Sequence, residues 1–193
     1  SSTNRRGALY ADIDVGGHSL MVGCTHIAAD LSDTIDYPSS GRHGSWQGEN
    51  LFMQGELIAF ANSKAQGRPI LFGGDFNCGL ANASNGVDPA WAENCQTWLD
   101  DGFSDPAGDG LHCTYCNDEN SLLLLGNGTG NTLLDHVFIK NLGEESSVQA
   151  ARVFDDLVSI ESTEPPSELQ PEDSPIMSHP SDHYGVEMDI RLR

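Results

Sequence analysis

The stretch Ile70-Leu71-Phe72-Gly73-Gly74-Asp75-Phe76-Asn77 decides how this sequence is read. Three apolar residues spell a short buried strand, and two glycines let the backbone turn sharply and a ligand come close. An acid and an amide follow at the strand end, where a rigid sheet presents side chains on its rim. Upstream, Glu49 to Lys64 carries Leu51, Phe52, Leu57, Ile58 and Phe60 and reads as an amphipathic helix, ended by Gly67-Arg68-Pro69. Residues 28–48 read as a polar loop, and before them Ala8 to Val15 and Ser19 to Thr25 flank Gly16-Gly17, a hairpin signal.

Downstream, Asp88 predicts an N-cap and Pro89 a first helical position. Trp91, Cys95, Trp98 and Leu99 then share a helix face, and Gly102 is the stop. Thr132 to Ile139, Val148 to Phe154 and Val186 to Leu192 read as strands. Residues 161–180 hold five prolines and several acids and predict an exposed loop. Helices lying between more numerous strands give an α/β (α+β) class with a layered sheet core, and 193 residues suit one domain.

Charge narrows the chemistry. Against 29 acidic residues stand 9 basic ones, a formal net charge of −20. Affinity for phosphates comes mostly from Lys and Arg, so passive nucleic-acid binding is disfavoured. The only lysines are Lys64 and Lys140, and residues 153–190 contain no Lys or Arg. An anionic substrate then needs a metal ion to screen the charge, while most of the acids simply serve solubility. No apolar run approaches the roughly 20 residues of a membrane span; Leu122 to Leu125 is far too short. Residues 1–6 lead straight into a strand pattern and do not read as a signal peptide.

Of five cysteines, Cys24 lies in an apolar strand pattern and reads as a buried free thiol. Cys78, Cys95, Cys113 and Cys116 lie in polar sequence and allow two disulfides with three connectivities. The Cys113-x-x-Cys116 spacing also fits half of a zinc site. Disulfides are the favoured reading and imply a secreted protein. Asn82-Ala83-Ser84 and Asn127-Gly128-Thr129 match the glycosylation triplet.

Polar residues gather at strand ends in four places: Thr25-His26, Asp75-Phe76-Asn77, Asp135-His136 and Ser181-Asp182-His183. The carboxylates suit Mg²⁺, Ca²⁺ or Mn²⁺. His26 and His183 suit proton transfer or donation to a phosphate. Taken singly, each signal reads more simply as a turn or a braced pair.

In this order the four motifs resemble the endonuclease/exonuclease/phosphatase superfamily, whose members include deoxyribonucleases and neutral sphingomyelinases. The resemblance runs from Arg6 to Leu192. It implies the second half of a four-layered, deoxyribonuclease-like α/β sandwich, so the chain is a single partial domain. It also implies a Mg²⁺-dependent phosphodiesterase acting on nucleic acid, a phospholipid head group or a small phosphodiester. By the same likeness Asp75 positions or deprotonates the attacking water, and Asn77 and His26 hold the scissile phosphate. Asp135 fixes the tautomer of His183, and Asp182 and Asp75 belong to the metal site. His136 departs from the family pattern and reads as a strand residue flanking Asp135. The family's first half, with its metal-binding glutamate, has no counterpart here, so a separate polypeptide or segment is expected to supply it, and the isolated chain is expected to be inactive. The alternatives are a non-catalytic binding or structural module on the same fold and a small zinc module built on Cys113 and Cys116.

Overall fold

The computed structural model describes residues 6–123, 130–160 and 176–192. Strands β1 (Ala8–Val15) and β2 (His18–His26) form the hairpin about Gly16 and Gly17. Helix α1 (Trp46–Ala65) leads to β3 (Ile70–Asp75), which pairs in parallel with β2. Helices α2 (Ala92–Asp100) and α3 (Pro106–Gly110) and the short strands β4 (Tyr115–Cys116) and β5 (Asn131–Thr132) come next. Strand β6 (Asp135–Lys140) then returns antiparallel to β3. The sheet order is β1-β2-β3-β6. Strands β7 (Ser147–Val153) and β10 (Gly185–Arg191) pair separately, as do β8 (Val158–Ile160) and β9 (Ile176–Ser178).

One face of the four-stranded sheet is filled. Met21, Ile70, Phe72 and Phe138 point to α1 and α2 and meet Leu57, Ile58, Ala61 and Trp98. Trp98 stacks on Phe138 with centroids 4.7 Å apart, and Phe76 meets both rings edge-on. Such aromatic pairs add about 0.5–1.5 kcal/mol each beyond the area they bury.

Helix α1 begins where Ser45 accepts from the Gly48 N–H and ends in left-handed Gln66. Its buried face differs from the expected one. Leu51 and Phe52 are exposed, whereas Asn50 and Gln54 are fully buried. Asn50 donates to the Ala28 and Phe76 carbonyls at 2.7 and 3.0 Å. Gln54 donates to the Phe76 carbonyl and accepts from Trp98 Nε1 at 2.6 Å. These bonds satisfy the carbonyls of two loops that no strand partner reaches.

Helix α2 starts later than Asp88 because a tertiary contact outcompetes the cap. The Asp88 N–H donates to the Asn131 carbonyl at 2.7 Å, and its carboxylate accepts the Asn131 N–H. The helix starts instead after Trp91, which is left-handed at φ 42° and makes no side-chain cap. Its other end follows expectation: Gly102, at φ 86°, lets the Phe103 N–H reach the Trp98 carbonyl.

The cysteines pair as Cys78–Cys95 and Cys113–Cys116, so the zinc reading falls, because both of its sulfurs are oxidised. Cys24 is exposed rather than buried. It belongs to the other face of the sheet, with the register line Leu9, Cys24, Gly73, Val137. Among the described residues nothing covers the β1 part of that face: Leu9 is 76% exposed, Val15 51% and Ile13 38%. Of the expected 161–180 loop, residues 161–175 lie outside the described residues, while Ile176–Ser178 pair with β8 and His179 is buried. Asn127-Gly128-Thr129 also lies outside the described residues. Asn82 spends its side-chain N–H on the Gly108 carbonyl.

His136 sits in the core rather than at a rim. Its Nδ1 donates to Asp105 at 2.8 Å and its Nε2 lies 2.9 Å from the Cys78 carbonyl, so both nitrogens face acceptors. Burial opposes the charge, but Asp105 and the Cys78 carbonyl outweigh it and raise the pKa. With both nitrogens facing acceptors, the protonated ring is the form that this pocket favours, paired with Asp105. Its contribution to stability is complete below the unfolded-state value of about 6.5 and is lost as pH rises through the higher folded-state value. Removing one partner of such a pair costs about 3–5 kcal/mol. Asp105→Asn should lose that much in urea unfolding at pH 6 and show a flatter pH dependence than the parent. Equal stability of the two proteins at pH 6 would refute the ion pair.

Candidate active site

Strands β2, β3 and β6 end together. His26 is opposite Asp75 and Asp75 is opposite Asp135, on the same face as Cys24, Gly73 and Val137. His26 Nε2 lies 3.4 Å from the Asp75 carboxylate. The chain enters β10 beside this line, so His183 Nδ1 donates to Asp135 Oδ2 at 2.7 Å. Asp75, Asp135 and His183 each bring a ligand atom within 4.8 Å of the others. A second such group, His112, Cys113 and Asp118, has its sulfur engaged in a disulfide.

Asn77 follows on a left-handed residue, φ 48°. Its N–H donates to Asp75 Oδ1 at 2.8 Å, and one N–H of its amide reaches the Ile27 carbonyl at 3.2 Å. Among the described residues its second amide hydrogen has no partner. The Phe76 carbonyl, taken by Asn50 and Gln54, fixes this turn from below.

A cavity of about 660 Å³ joins these groups; it is lined by His26, Asp75, Asn77 and His183, and by Arg6, Trp91 and Tyr115. Of the five expected catalytic residues only Asp135 is not in its wall, and it stands behind His183. Asp182 is exposed and outside the Asp75–Asp135–His183 group, although its charge reaches His183 and Tyr115. The segment from Asp30 to Asn50, with Tyr37 and Trp46, lies between two site motifs, but only its Asp30 lines the cavity. Tyr37 instead donates to Glu49, and Trp46 Nε1 to the Ile35 carbonyl. Sequence reasoning missed Trp91, whose signal was absorbed into a helix face, and Tyr115, which reaches the site only because its disulfide-closed loop docks there.

The electrostatics follow from crowding. Burial and then the Asp135 charge raise the Asp75 pKa, against the Asn77 N–H and the two histidines. For His183, burial works against the charge, but the hydrogen bond and charge of Asp135, then Asp75 and Asp182, raise the pKa overall. Tyr115 is raised by burial and by Asp182. Asp75, Asp135 and His183, with ligand atoms within 4.8 Å of one another, are a donor set that suits a hard cation such as Mg²⁺. The ensemble can hold a cation, donate hydrogen bonds to an anion and place a carboxylate against a water.

No family model and no curated protein matches the sequence. Solved structures do match in fold. Sphingomyelinase C from Streptomyces griseocarneus aligns with a TM-score of 0.60 at 16% identity, over 95% of this chain and 56% of that one. A mutant beta toxin from Staphylococcus aureus, with bound magnesium ions, gives 0.63 at 17%, over 97% and 58%. Truncated TDP2 from Caenorhabditis elegans gives 0.57 at 15%, over 97% and 60%. The fold is therefore the deoxyribonuclease-like α/β fold of these structures, and the chain spans a little over half of their length.

The site line depends on Gly74. Its φ is 145°, and a Cβ there would stand 1.9 Å from the Thr25 carbonyl oxygen, with backbone on both sides unable to yield. Gly74→Ala should destabilise by about 2–4 kcal/mol and part His26 from Asp75. Gly55→Ala, in α1 with open space around it, should instead stabilise by about 0.5–1 kcal/mol. Urea unfolding of both variants checks the contrast, which fails if Gly74→Ala is neutral.

Proposed function

We propose that this chain carries the phosphate-handling side of a metal-dependent phosphodiesterase. The observation that carries the reading is the grouping of His26, Asp75, Asn77 and His183 around one cavity, with Asp135 behind His183. The likeness in fold to a sphingomyelinase and to a magnesium-bound toxin supports it.

Asp75 and Asp182 would hold Mg²⁺, together with acids from outside this chain. The cation supplies Lewis-acid polarisation and charge screening. Asp75 orients a water for attack and accepts its proton. Asn77 and His26 donate to the phosphoryl oxygens as charge develops on them. Asp135 accepts from His183 Nδ1 and turns Nε2 toward the substrate; against burial, the hydrogen bond and charge of Asp135 raise the His183 pKa.

The net charge of −20 favours a small or zwitterionic phosphodiester head group over a polyanion. The uncovered apolar residues of β1 support completion of the unit by a further polypeptide or segment lying on that face. The two disulfides support an exported protein.

The test is hydrolysis of sphingomyelin, DNA and bis-p-nitrophenyl phosphate by the complete protein, with Mg²⁺ and with chelator. Asp75→Asn and His183→Ala should each lower kcat by about 10²–10⁴-fold while Tm stays within a few degrees. Full activity in both variants, or activity indifferent to chelator, overturns the reading.

A further inference from the structure

The Cys113-Thr114-Tyr115-Cys116 loop is closed on itself by its disulfide, and both sulfurs are fully buried. A bridge across so short a loop restricts the unfolded chain over very few residues, and shapes the backbone locally. At its centre Thr114 is fully buried, and its hydrogen bonds run to segments that frame the site.

The Thr114 N–H donates to the Thr132 carbonyl at 3.0 Å, and the Thr114 carbonyl accepts the Tyr184 N–H at 2.8 Å. Its hydroxyl oxygen accepts two backbone N–H groups, from Leu134 at 3.0 Å and from Asp135 at 3.2 Å. One residue thus ties the segment that delivers Asp135 to the segment that delivers His183. The two are otherwise 48 positions apart in sequence and meet through the 2.7 Å bond between their side chains.

The neighbours reinforce that junction. Tyr184 packs with both cysteines, and Arg152 lies over its ring at 4.6 Å while donating to the Cys113 carbonyl. Tyr115, next in the loop, sets its ring 5.2 Å from that of His183. The loop therefore fixes the backbone behind Asp135 and the side of His183 together.

We propose that Thr114, held in its disulfide-closed loop, is a positioning residue that sets the Asp135–His183 pair for phosphoryl transfer. It touches no substrate and acts through the Leu134 and Asp135 N–H groups. The functional part of this claim rests on the phosphodiesterase reading, whereas the geometric part does not.

The experiment compares Thr114→Val, which keeps the shape and loses the hydroxyl, with Thr114→Ser, which keeps the hydroxyl. In the complete protein with Mg²⁺, Thr114→Val should lower kcat by about 10–100-fold with KM within about twofold, and Thr114→Ser should restore most of it. Independently of any activity, amide exchange at Asp135 should speed up about tenfold or more in Thr114→Val, while β2 and β3 keep their protection. The imidazole N–H resonance of His183 shared with Asp135 should broaden in the same variant and persist in Thr114→Ser.

If Thr114→Val does not fold, Cys113→Ala/Cys116→Ala decides. It should speed exchange at Leu134, Asp135 and Tyr184 and leave β2 and β3 unchanged. Unchanged exchange at these amides overturns the proposal whatever the activity. So does an unchanged kcat in Thr114→Val when Asp75→Asn is inactive. If no phosphodiester is cleaved by the parent, the functional reading fails alone and the exchange data still judge the role of Thr114 in the pair.

Discussion

Everything in this molecule hangs on how β3 is held between β2 and β6. It runs parallel to one and antiparallel to the other, and its last residue, Asp75, stands level with His26 and Asp135. Side chains alternate across a sheet, so a slip of one residue would turn Asp75 into the aromatic core and bring Gly74 or Phe76 to the rim. The same register puts Phe72 beside Phe138 and His136 beside Gly74 on the helical face. Core and site are two readings of one alignment. The close passage of Gly74 over the Thr25 carbonyl is what lets the strands stay together to their ends.

From that alignment the site is braced in two unlike ways. Beneath Asn77 the braces are amides: Asn50, Gln54 and Asn94 form a buried set linked to each other and to the Phe76 carbonyl. Beside His183 the brace is a disulfide loop with a threonine at its centre. Both supply hydrogen bonds where the chain leaves regular pairing and would otherwise leave polar backbone unsatisfied. Negative charge is then concentrated at one spot by Asp75, Asp135 and Asp182, with two histidines as the facing groups. A polar frame this rigid resists collapse of the acids away from one another, which is the arrangement a cation and a phosphate both require.

Much of this was legible. Alternation gave the hairpin and the β10 strand, and the strand ends announced His26, Asp75, Asp135 and His183, which the fold brings within one small volume. What escaped was whatever depended on partners distant in sequence. Asn50 and Gln54 look like surface residues until the carbonyls they serve are known. Leu51 and Phe52 look like core until α1 is rotated by those amides. Asp88 has every mark of a cap and is taken by Asn131 instead. Cys24 sits among apolar neighbours, yet a strand pattern does not reveal which face will be covered. His136 and Asp105 show the same limit: their pairing crosses 31 residues and leaves no local trace.

The exposure of Cys24 has a practical side. The other four sulfurs are locked in disulfides, so the chain carries one accessible thiol, and it stands on the sheet face that β1 leaves bare. The molecule arrives with its own attachment point for a spin label, a fluorophore or a photocrosslinker. Whatever comes to lie on that face can be timed, mapped and captured from within, without engineering a single residue.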